Sequence, residues 1–458
     1  MYKLKNQQEL LSTCPGIVKP ALITKIESES INLKPYTSMK IPGGPLTIMF
    51  IRKINLLSFI SFLLIVFLPS CKNRQKEMSD QERWEMAVKI CENNIILDSH
   101  IDWPEWILDN PEDISGRTIK GDFDLVRAKK GGLNAALSVA YINSAYGTTE
   151  GRIMVDSMLK LVTYYTKTCP DKFVLALNPA DIRKNFDKKL FSLVPCLENG
   201  SPIGDDMGYL KYLKDQGIAY ITLCHDKTNQ ISDSNFDQNR KWDGLSPLGQ
   251  EVIKEMNRLG IMIDISHSTD STVFQALRFS KAPVIASHSS CRYFTPGLER
   301  NLPDTLIKGI AKKNGVIMVN FGSFFLDSIC MKNWMYLHHK WQDSTRIDLS
   351  SKEGIDFTRE YGKTHKLFSD SKVVVNHIEH IVKLVGIDYV GIGSDYDGIG
   401  HAQPSDLPDV SSYPVVVAEL LKRGYTETDL KKILSGNFLR VWSEVFETAD
   451  SLNKNSTN

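Results

Sequence analysis

The chain lacks several features that would reveal its class at once. Its formal net charge is +1 over 458 residues, so no charge excess points to a nucleic-acid or acidic partner. Its eight cysteines contain no CxxC pair and no regular spacing, so neither a zinc ribbon nor a disulfide framework is indicated. With 24% charged and 42% hydrophobic residues, the composition is that of a globular protein, long enough for one large barrel or two domains.

An apolar run long enough to span a bilayer is also missing. The longest run, residues 54–68, is shorter than the ~20 residues that a membrane span requires, and it contains three polar residues. Arg52 and Lys53 precede it and Leu68-Pro-Ser-Cys71 follows, which resembles a bacterial lipoprotein signal with Cys71 as the lipidated first mature residue. We expect an exported lipoprotein anchored to a membrane of the bacterial cell envelope; an uncleaved anchor is the alternative.

The predicted signal divides the rest of the chain. Residues 1–48 show no clear hydrophobic period. They are expected to be an N-terminal extension from a wrongly assigned translation start, with Met49 as the true initiator. Residues 49–70 would be the signal, 71–83 a polar tether, 84–447 one folded domain and 448–458 a polar tail.

Within that domain, eight β-like runs alternate with amphipathic helical patterns. The runs are Ile95–Asp102, Leu133–Ile142, Leu193–Glu198, Ala219–His225, Ile261–His267, Val284–His288, Gly315–Phe321 and Tyr389–Asp395. Eight strands that alternate with helices predict a (β/α)8 barrel of the TIM type. The long segment between the last two runs, residues 324–367, predicts a helical excursion over one end of the barrel.

Two neighbouring runs end in the same tripeptide, Ser-His-Ser. Each delivers a histidine, His267 and His288, and a predicted helix at residues 270–280 separates them. Either histidine alone could complete a hydrogen bond in the core. Two equivalent histidines at the carboxyl edge of a parallel sheet instead indicate metal binding or catalysis, since α/β folds collect such groups there. His377 and His380, on a helical pattern, are expected at the surface or in helix packing.

Other predicted strands also end in polar residues. His100 and Asp102 close the first run and share one face of an extended strand, Glu198 closes the third, His225 the fourth and Asp395 the eighth. Three histidines and two carboxylates suit Zn²⁺ better than Ca²⁺. Five ligands are too many for one catalytic zinc, but they serve two ions if a carboxylate bridges. Glu198 lies between the two groups in sequence and is the expected bridge.

Taken in order, the motifs resemble those of the membrane (renal-type) dipeptidase family of metallopeptidases, from Trp84 to Phe446. The matching stretches include Asp98-Ser-His-Ile-Asp102, Leu197-Glu-Asn-Gly200, Tyr220-Ile-Thr-Leu-Cys-His225, Ile263-Asp-Ile-Ser-His267, Ser287-His-Ser-Ser290, Arg300-Asn-Leu-Pro-Asp304 and Gly393-Ser-Asp-Tyr-Asp-Gly398. The resemblance implies an amidohydrolase-like barrel that hydrolyses dipeptides.

Residue by residue, the resemblance implies two Zn²⁺ ions. His100 and Asp102 would bind one, His267 and His288 the other, and Glu198 both. His225 would polarise the substrate carbonyl, Asp395 would be the catalytic carboxylate that serves a metal-bridging hydroxide, and Arg300 would hold the free C-terminal carboxylate of the dipeptide. Homodimers are common in the family and are a possible assembly here.

Three residues depart from the family pattern. Trp103 and Glu105 alter the usual Asp-Leu-Pro-Trp sequence, and Asn199 replaces a usual glycine, so the wall of the pocket can differ. Two other functions stay open on the sequence alone. One is another binuclear hydrolase, acting on a lactone, an N-acyl amino acid or a β-lactam, and the other is a non-catalytic peptide-binding lipoprotein.

Overall fold

Short runs of aliphatic residues form a parallel barrel in the computed structural model, which describes residues 78–345 and 352–455. The strands are β1 Ile96–Ile101, β2 Leu133–Tyr141, β3 Phe173–Leu175, β4 Phe191–Glu198, β5 Tyr220–Thr222, β6 Met262–Asp264, β7 Val284–Ala286, β8 Val316–Val319 and β9 Val390–Ile392. Their order is β1-β2-β4-β5-β6-β7-β8-β9, with β3 beside β4, and every pairing is parallel.

The barrel closes where the chain beyond β9 meets β1. The backbone N–H of Asp395 donates to the carbonyl of His100, and that of Asp102 donates to the carbonyl of Tyr396, each at 3.0 Å. The predicted (β/α)8 architecture is therefore confirmed. The same two hydrogen bonds bring the ends of the first and last barrel strands into register, which places Asp395 beside the His100 segment.

Helices surround the barrel, and the last of them packs against its interior. They are Asp80–Asn93, Trp103–Asp109, Leu125–Gly131, Thr148–Thr168, Pro179–Asp187, Gly208–Asp215, Pro247–Leu259, Asp270–Phe279, Asp304–Lys312, Ser371–Val385, Tyr413–Lys422, Glu427–Lys431 and Asn437–Asn455. Local sequence sets their limits: Ser246 caps the Pro247–Leu259 helix by accepting from the N–H of Gly249, and Gly260 ends it at φ 68°. The predicted excursion is also confirmed, as helices Ser323–Leu326, Ser328–Thr345 and Lys352–Gly362.

Successive side chains along each strand point to opposite faces of the sheet, which produces one apolar layer inside the barrel and another beneath the helices. In β6, for example, Met262 belongs to the cluster that fills the barrel, whereas Ile263 belongs to the cluster between the sheet and the helices. Phe438 and Trp442, from the last helix, join the first cluster, so this helix packs against the barrel interior. The two layers hold the strands and leave polar side chains at their carboxyl ends.

The structure corrects three expectations. The edge strand β3 is absent from the prediction, because three residues are too few to show a period. The strands β5, β6, β7 and β9 end two or three residues before the predicted His225, His267, His288 and Asp395. Residues 448–455, predicted as a polar tail, continue the last helix, where Ala449 is buried.

The predicted extension and signal, and residues 71–77 of the predicted tether, including Cys71, lie outside the described residues. Residues 80–83, also predicted as tether, instead begin the helix Asp80–Asn93. No helix within residues 78–345 and 352–455 has the length and the hydropathy that crossing a bilayer requires.

Candidate active site

The five predicted metal ligands converge at the carboxyl end of the barrel. His100 lies in β1 with Asp102 directly after it, Glu198 ends β4, and His267 and His288 follow β6 and β7. Each of the five is at most 5% exposed. Parallel strands end on the same side, so ligands that are up to 188 positions apart in sequence meet in one place.

Glu198 lies at the centre of this group. Its Oε2 is 3.5 Å from Nε2 of His100. Its Oε1 is 3.2 Å from Nε2 of His267 and 3.3 Å from Nε2 of His288. Oδ2 of Asp102 lies 3.7 Å from the same His100 nitrogen. The two carboxylate oxygens of Glu198 thus face two different sets of side chains, which is the position that a bridging carboxylate requires.

The charges in this group favour a cation. Burial lowers the pKa of His267 and of His288 well below the usual value, and the nearby positive charge of Arg300 adds to this effect, so both rings are neutral. Burial also acts against a charge on His100, yet the carboxylates of Glu198 and Asp102 raise its pKa to about 9. The buried carboxylates therefore stabilise positive charge between them.

These donors fit divalent metal ions. Neutral imidazole nitrogens and carboxylate oxygens are typical zinc ligands, and tetrahedral coordination at ~2.1 Å places neighbouring ligand atoms ~3.4 Å apart. The three contacts of Glu198 span 3.2 to 3.5 Å. Nε2 of His100 is buried and makes no hydrogen bond to any described residue. Among the described residues, three sets of side chains have the spacing to hold an ion: His100, Glu198 and His288; Glu198, His225 and His267; His100, Asp102 and Asp395.

Hydroxyl groups hold the outer nitrogens of two of these imidazoles. Nδ1 of His100 lies 2.7 Å from the hydroxyl of Tyr220, which itself donates to a backbone carbonyl. Nδ1 of His288 lies 2.8 Å from Oγ of Ser287, whose hydroxyl donates to Oδ2 of Asp264 at 2.6 Å. Because each hydroxyl proton is already engaged, each Nδ1 is the donor, and Nε2 is the nitrogen that remains to bind a metal ion.

His225 stands beside the cluster, with Nε2 3.9 Å from Oε1 of Glu198. Its ring lies near those of Tyr141 and His267, with centroid distances of 4.7 and 4.2 Å. On its other side, Nδ1 is 3.2 Å from Oδ1 of Asp226. Burial acts to raise the pKa of Asp226, but the hydrogen bond and the charge of His225 hold it below the usual value.

Asp395 occupies the opposite side of the cluster. Its Oδ1 lies 3.9 Å from Nε2 of His100, and its Oδ2 accepts a hydrogen bond of 2.9 Å from Nδ2 of Asn320. A β-carbon on Gly398 would lie only 2.1 Å from carboxylate oxygens of both Asp102 and Asp395. Glycine is therefore required there for the two carboxylates to approach the turn.

Arg300 reaches the cluster from the loop after β7 and is buried. One terminal nitrogen donates to the carbonyl of His288 at 2.8 Å and lies 3.2 Å from Nε2 of His267. The other donates to Oγ of Ser289 at 3.0 Å, and the guanidinium carbon is 5.0 Å from the ring centre of Phe325. The Nε–H of Arg300 has no hydrogen-bond partner within the described part of the chain.

All eight residues singled out from the sequence therefore meet at this end of the barrel. Sequence reasoning missed the polar residues behind them: Tyr220, Asp226, Asp264, Ser287 and Asn320. A signal existed for Asp264, which is a charged residue in an apolar strand. By contrast, His377 is buried in helix packing away from the cluster, where Nδ1 accepts from the N–H of Cys291 at 2.9 Å.

Comparisons with known proteins agree with this geometry. The membrane dipeptidase family, Peptidase family M19, matches residues 84–456. An uncharacterized dipeptidase of Schizosaccharomyces pombe is 29% identical over 382 residues, which cover 78% of this chain and 83% of the relative. Dipeptidase 3 of Mus musculus is 30% identical over 376 residues, which cover 80% of this chain and 68% of the relative.

Solved structures share the fold. The probable dipeptidase PvdM from Pseudomonas aeruginosa is 26% identical with a TM-score of 0.70, covering 81% of this chain and 100% of that one. A metallopeptidase from Rhodobacter sphaeroides, solved with a phosphinate mimic of the dipeptide L-Ala-D-Ala, is 21% identical with a TM-score of 0.65, covering 77% and 100%. Since the family match spans most of the chain, the protein belongs to the membrane dipeptidase family and is a metallopeptidase of the dipeptidase class.

Proposed function

We propose that the chain is a two-zinc dipeptidase that cleaves dipeptides with a free C-terminal carboxylate. One observation carries the proposal: the two oxygens of Glu198 face separate ligand sets, with the guanidinium of Arg300 buried 3.2 Å from His267 on one side. A metal centre with an adjacent fixed cation suits a substrate whose scissile amide lies close to a carboxylate.

The ligand sets divide the two ions. His100 and Asp102 would hold one, His267 and His288 the other, and Glu198 both. When bound, two such ions supply a Lewis acid and lower the pKa of a water molecule toward ~7. The protein contributes the buried surroundings in which the ligands keep fixed positions, because hydroxyl groups hold the outer nitrogens of His100 and His288.

Arg300 would bind the terminal carboxylate of the substrate. Its Nε–H makes no hydrogen bond to a described residue, so this donor is not already committed to a protein acceptor. With this end fixed, the scissile bond must lie one residue from the C-terminus. Recognition through the carboxylate rather than the side chain also predicts that a D-residue at that position is tolerated.

Two further side chains act on the scissile amide. His225 presents Nε2 to the cluster, where it would polarise the carbonyl oxygen as charge develops there. Asp395 would take the proton of the attacking water at Oδ1 and pass it to the departing amine. Oδ1 is the oxygen that faces His100, whereas Oδ2 accepts from Asn320.

Substrate discrimination tests this proposal. The purified protein, with its metal content measured, should hydrolyse a dipeptide but neither its C-terminal amide nor the corresponding tripeptide. Arg300→Met should raise KM for the dipeptide by roughly 10–100-fold, as loss of a charge-assisted pair worth ~1.5–3 kcal/mol requires. Arg278→Met is a matched control, since Arg278 also lies over a phenylalanine ring but outside the site. Equal turnover of the dipeptide and its amide would refute the proposal and favour another hydrolase of the same fold.

We also propose that the mature protein begins at Cys71 and is attached to a bacterial membrane by lipid. The support is the apolar run at residues 54–68 followed by Leu68-Pro-Ser-Cys71. Mass spectrometry of membrane-extracted protein should show acylated Cys71 as the first residue. Recovery of an intact segment 49–70, or of unmodified Cys71, would contradict it.

A further inference from the structure

Asp226 is a buried carboxylate that the proposed reaction leaves without a role. Its Oδ1 lies 3.2 Å from Nδ1 of His225, the next residue back along the chain. The same oxygen accepts a short hydrogen bond from the hydroxyl of Ser144, in the loop after β2. An ionised carboxylate only accepts hydrogen bonds, so Nδ1 of His225 is the donor in this contact. Nε2 is then the nitrogen that faces Glu198.

Asn199 supports this pair from the end of β4. Its Nδ2 donates to the carbonyl of Ile142 at 2.9 Å and to Oγ of Ser144 at 3.4 Å, and its Oδ1 accepts from the N–H of Ser201 at 3.1 Å. Its φ is 76°, a left-handed conformation that glycine and asparagine adopt most readily. Asparagine can therefore replace the glycine usual in the family without changing the turn, and it adds an anchor for Ser144.

Aromatic packing cannot orient His225 on its own. The neighbouring rings of Tyr141 and His267 restrict its tilt. A ring turned by 180° would keep much the same contacts, however, because both faces of an imidazole are similar in shape. Such a turn exchanges Nδ1 with Cδ2 and Nε2 with Cε1, and only a polar contact distinguishes these nitrogens from the carbons. Asp226 supplies that contact, and Ser144 fixes the position of the Asp226 oxygen.

We propose that Asp226 and Ser144 are positioning residues that hold the ring of His225 with Nδ1 outward and Nε2 directed into the metal cluster. The inference rests on the proposed role of His225 in polarising the scissile carbonyl. It assigns the catalytic orientation of that ring to a carboxylate and a hydroxyl that lie on two different loops.

Kinetics of the metal-loaded enzyme provide the first test. Asp226→Asn and Asp226→Ala should lower kcat by roughly 10–100-fold, as loss of an orienting partner does, while KM and metal content stay unchanged. Ser144→Ala should lower kcat by a smaller factor, and it keeps the test decisive if the Asp226 variants do not fold. Asp156→Asn is the control. Asp156 accepts a hydrogen bond from an aromatic side chain, through the hydroxyl of Tyr212, but lies outside the site, so this variant should have the wild-type kcat.

The tautomer of His225 provides a second test that does not depend on activity. In metal-loaded protein labelled with ¹⁵N-histidine, the signal that is lost in His225→Gln identifies the residue. Protonation at Nδ1 is expected in the wild type and should be lost in Asp226→Ala. An unchanged tautomer, or an unchanged kcat in Asp226→Ala with His225→Gln inactive, overturns the proposal. If His225→Gln retains full kcat while the tautomer responds to Asp226→Ala, the proposed role of His225 fails and the orienting contact stands.

Discussion

Replacing Ser287 by alanine should weaken metal binding without removing any ligand. Oγ of Ser287 lies 2.8 Å from Nδ1 of His288 and donates to Oδ2 of Asp264 at 2.6 Å. The substitution deletes one oxygen atom and leaves the buried Nδ1–H without its acceptor. In the metal-free protein the ring can avoid this by moving its proton to Nε2. Metal binding to Nε2 must then return the proton to Nδ1, so the free-energy cost of the unpaired N–H appears only in the metal-bound state.

The structure sets the size of this effect. A buried donor without a partner costs ~1–3 kcal/mol. Since ~1.4 kcal/mol corresponds to a tenfold change in Kd, affinity for the ion held by His288 should fall by about 10–100-fold. Tyr220→Phe should do the same for the ion held by His100, because the hydroxyl of Tyr220 lies 2.7 Å from Nδ1 of that histidine.

Competition between the protein and a chromophoric zinc chelator measures both affinities. Ser157→Ala is the control, since Ser157 donates to the carbonyl of Ile153 within its own helix, outside the site. Each test variant should weaken one ion more than the other, and the metal-free proteins should still unfold cooperatively. Wild-type affinity for both ions in Ser287→Ala would show that the hydroxyl does not select the tautomer of His288, and the reasoning would be refuted.

Three other predictions follow from the same geometry. Glu198→Gln should reduce the occupancy of both ions in elemental analysis, because both lose the charge of the residue between them; loss of a single ion would contradict bridging. Asp395→Asn should keep metal content and lower kcat by ~10²-fold or more; loss of metal instead would make Asp395 a ligand. Burial lowers the pKa of His377 to about 4, so its neutral state stabilises the fold fully above pH ~6.5 and this contribution is lost as the pH falls toward 4. It amounts to about 3 kcal/mol, and the melting temperature of the wild type should fall more steeply over that range than that of His377→Gln; parallel curves would exclude the effect.

The barrel could be predicted because its strands are apolar on both faces. A run such as Val284–Ala286 is buried in the interior on one side and under helices on the other, so it reads as an uninterrupted aliphatic segment. Helices between the strands show their own period and caps. The side chains that form the site itself were predictable for a related reason. A polar residue at the end of such an apolar run has few structural roles.

The polar residues behind the site could not be predicted in this way. Asn320 donates to Asp395 across 75 positions, and Ser144 donates to Asp226 across 82. Serine, asparagine and aspartate are also the usual residues of loops, so their types alone indicate a turn rather than a partner. Only the register of the closed barrel decides which loops are neighbours, and that register depends on the whole sheet.

His267 shows why the exact strand ends were also out of reach. Alternation from Met262, which points into the barrel, would place Asp264 and Ser266 inward and His267 outward, toward the helices. The chain instead leaves the strand, and His267 adopts a φ of 67°, which costs a side chain larger than glycine ~1–2 kcal/mol. This turn brings its Nε2 to 3.2 Å from Glu198. Glycine would relieve the strain but would supply no imidazole, so the backbone conformation here follows from the need for a nitrogen beside the carboxylate. A strand predicted from the alternation of side chains therefore extends past the residue at which the real strand ends.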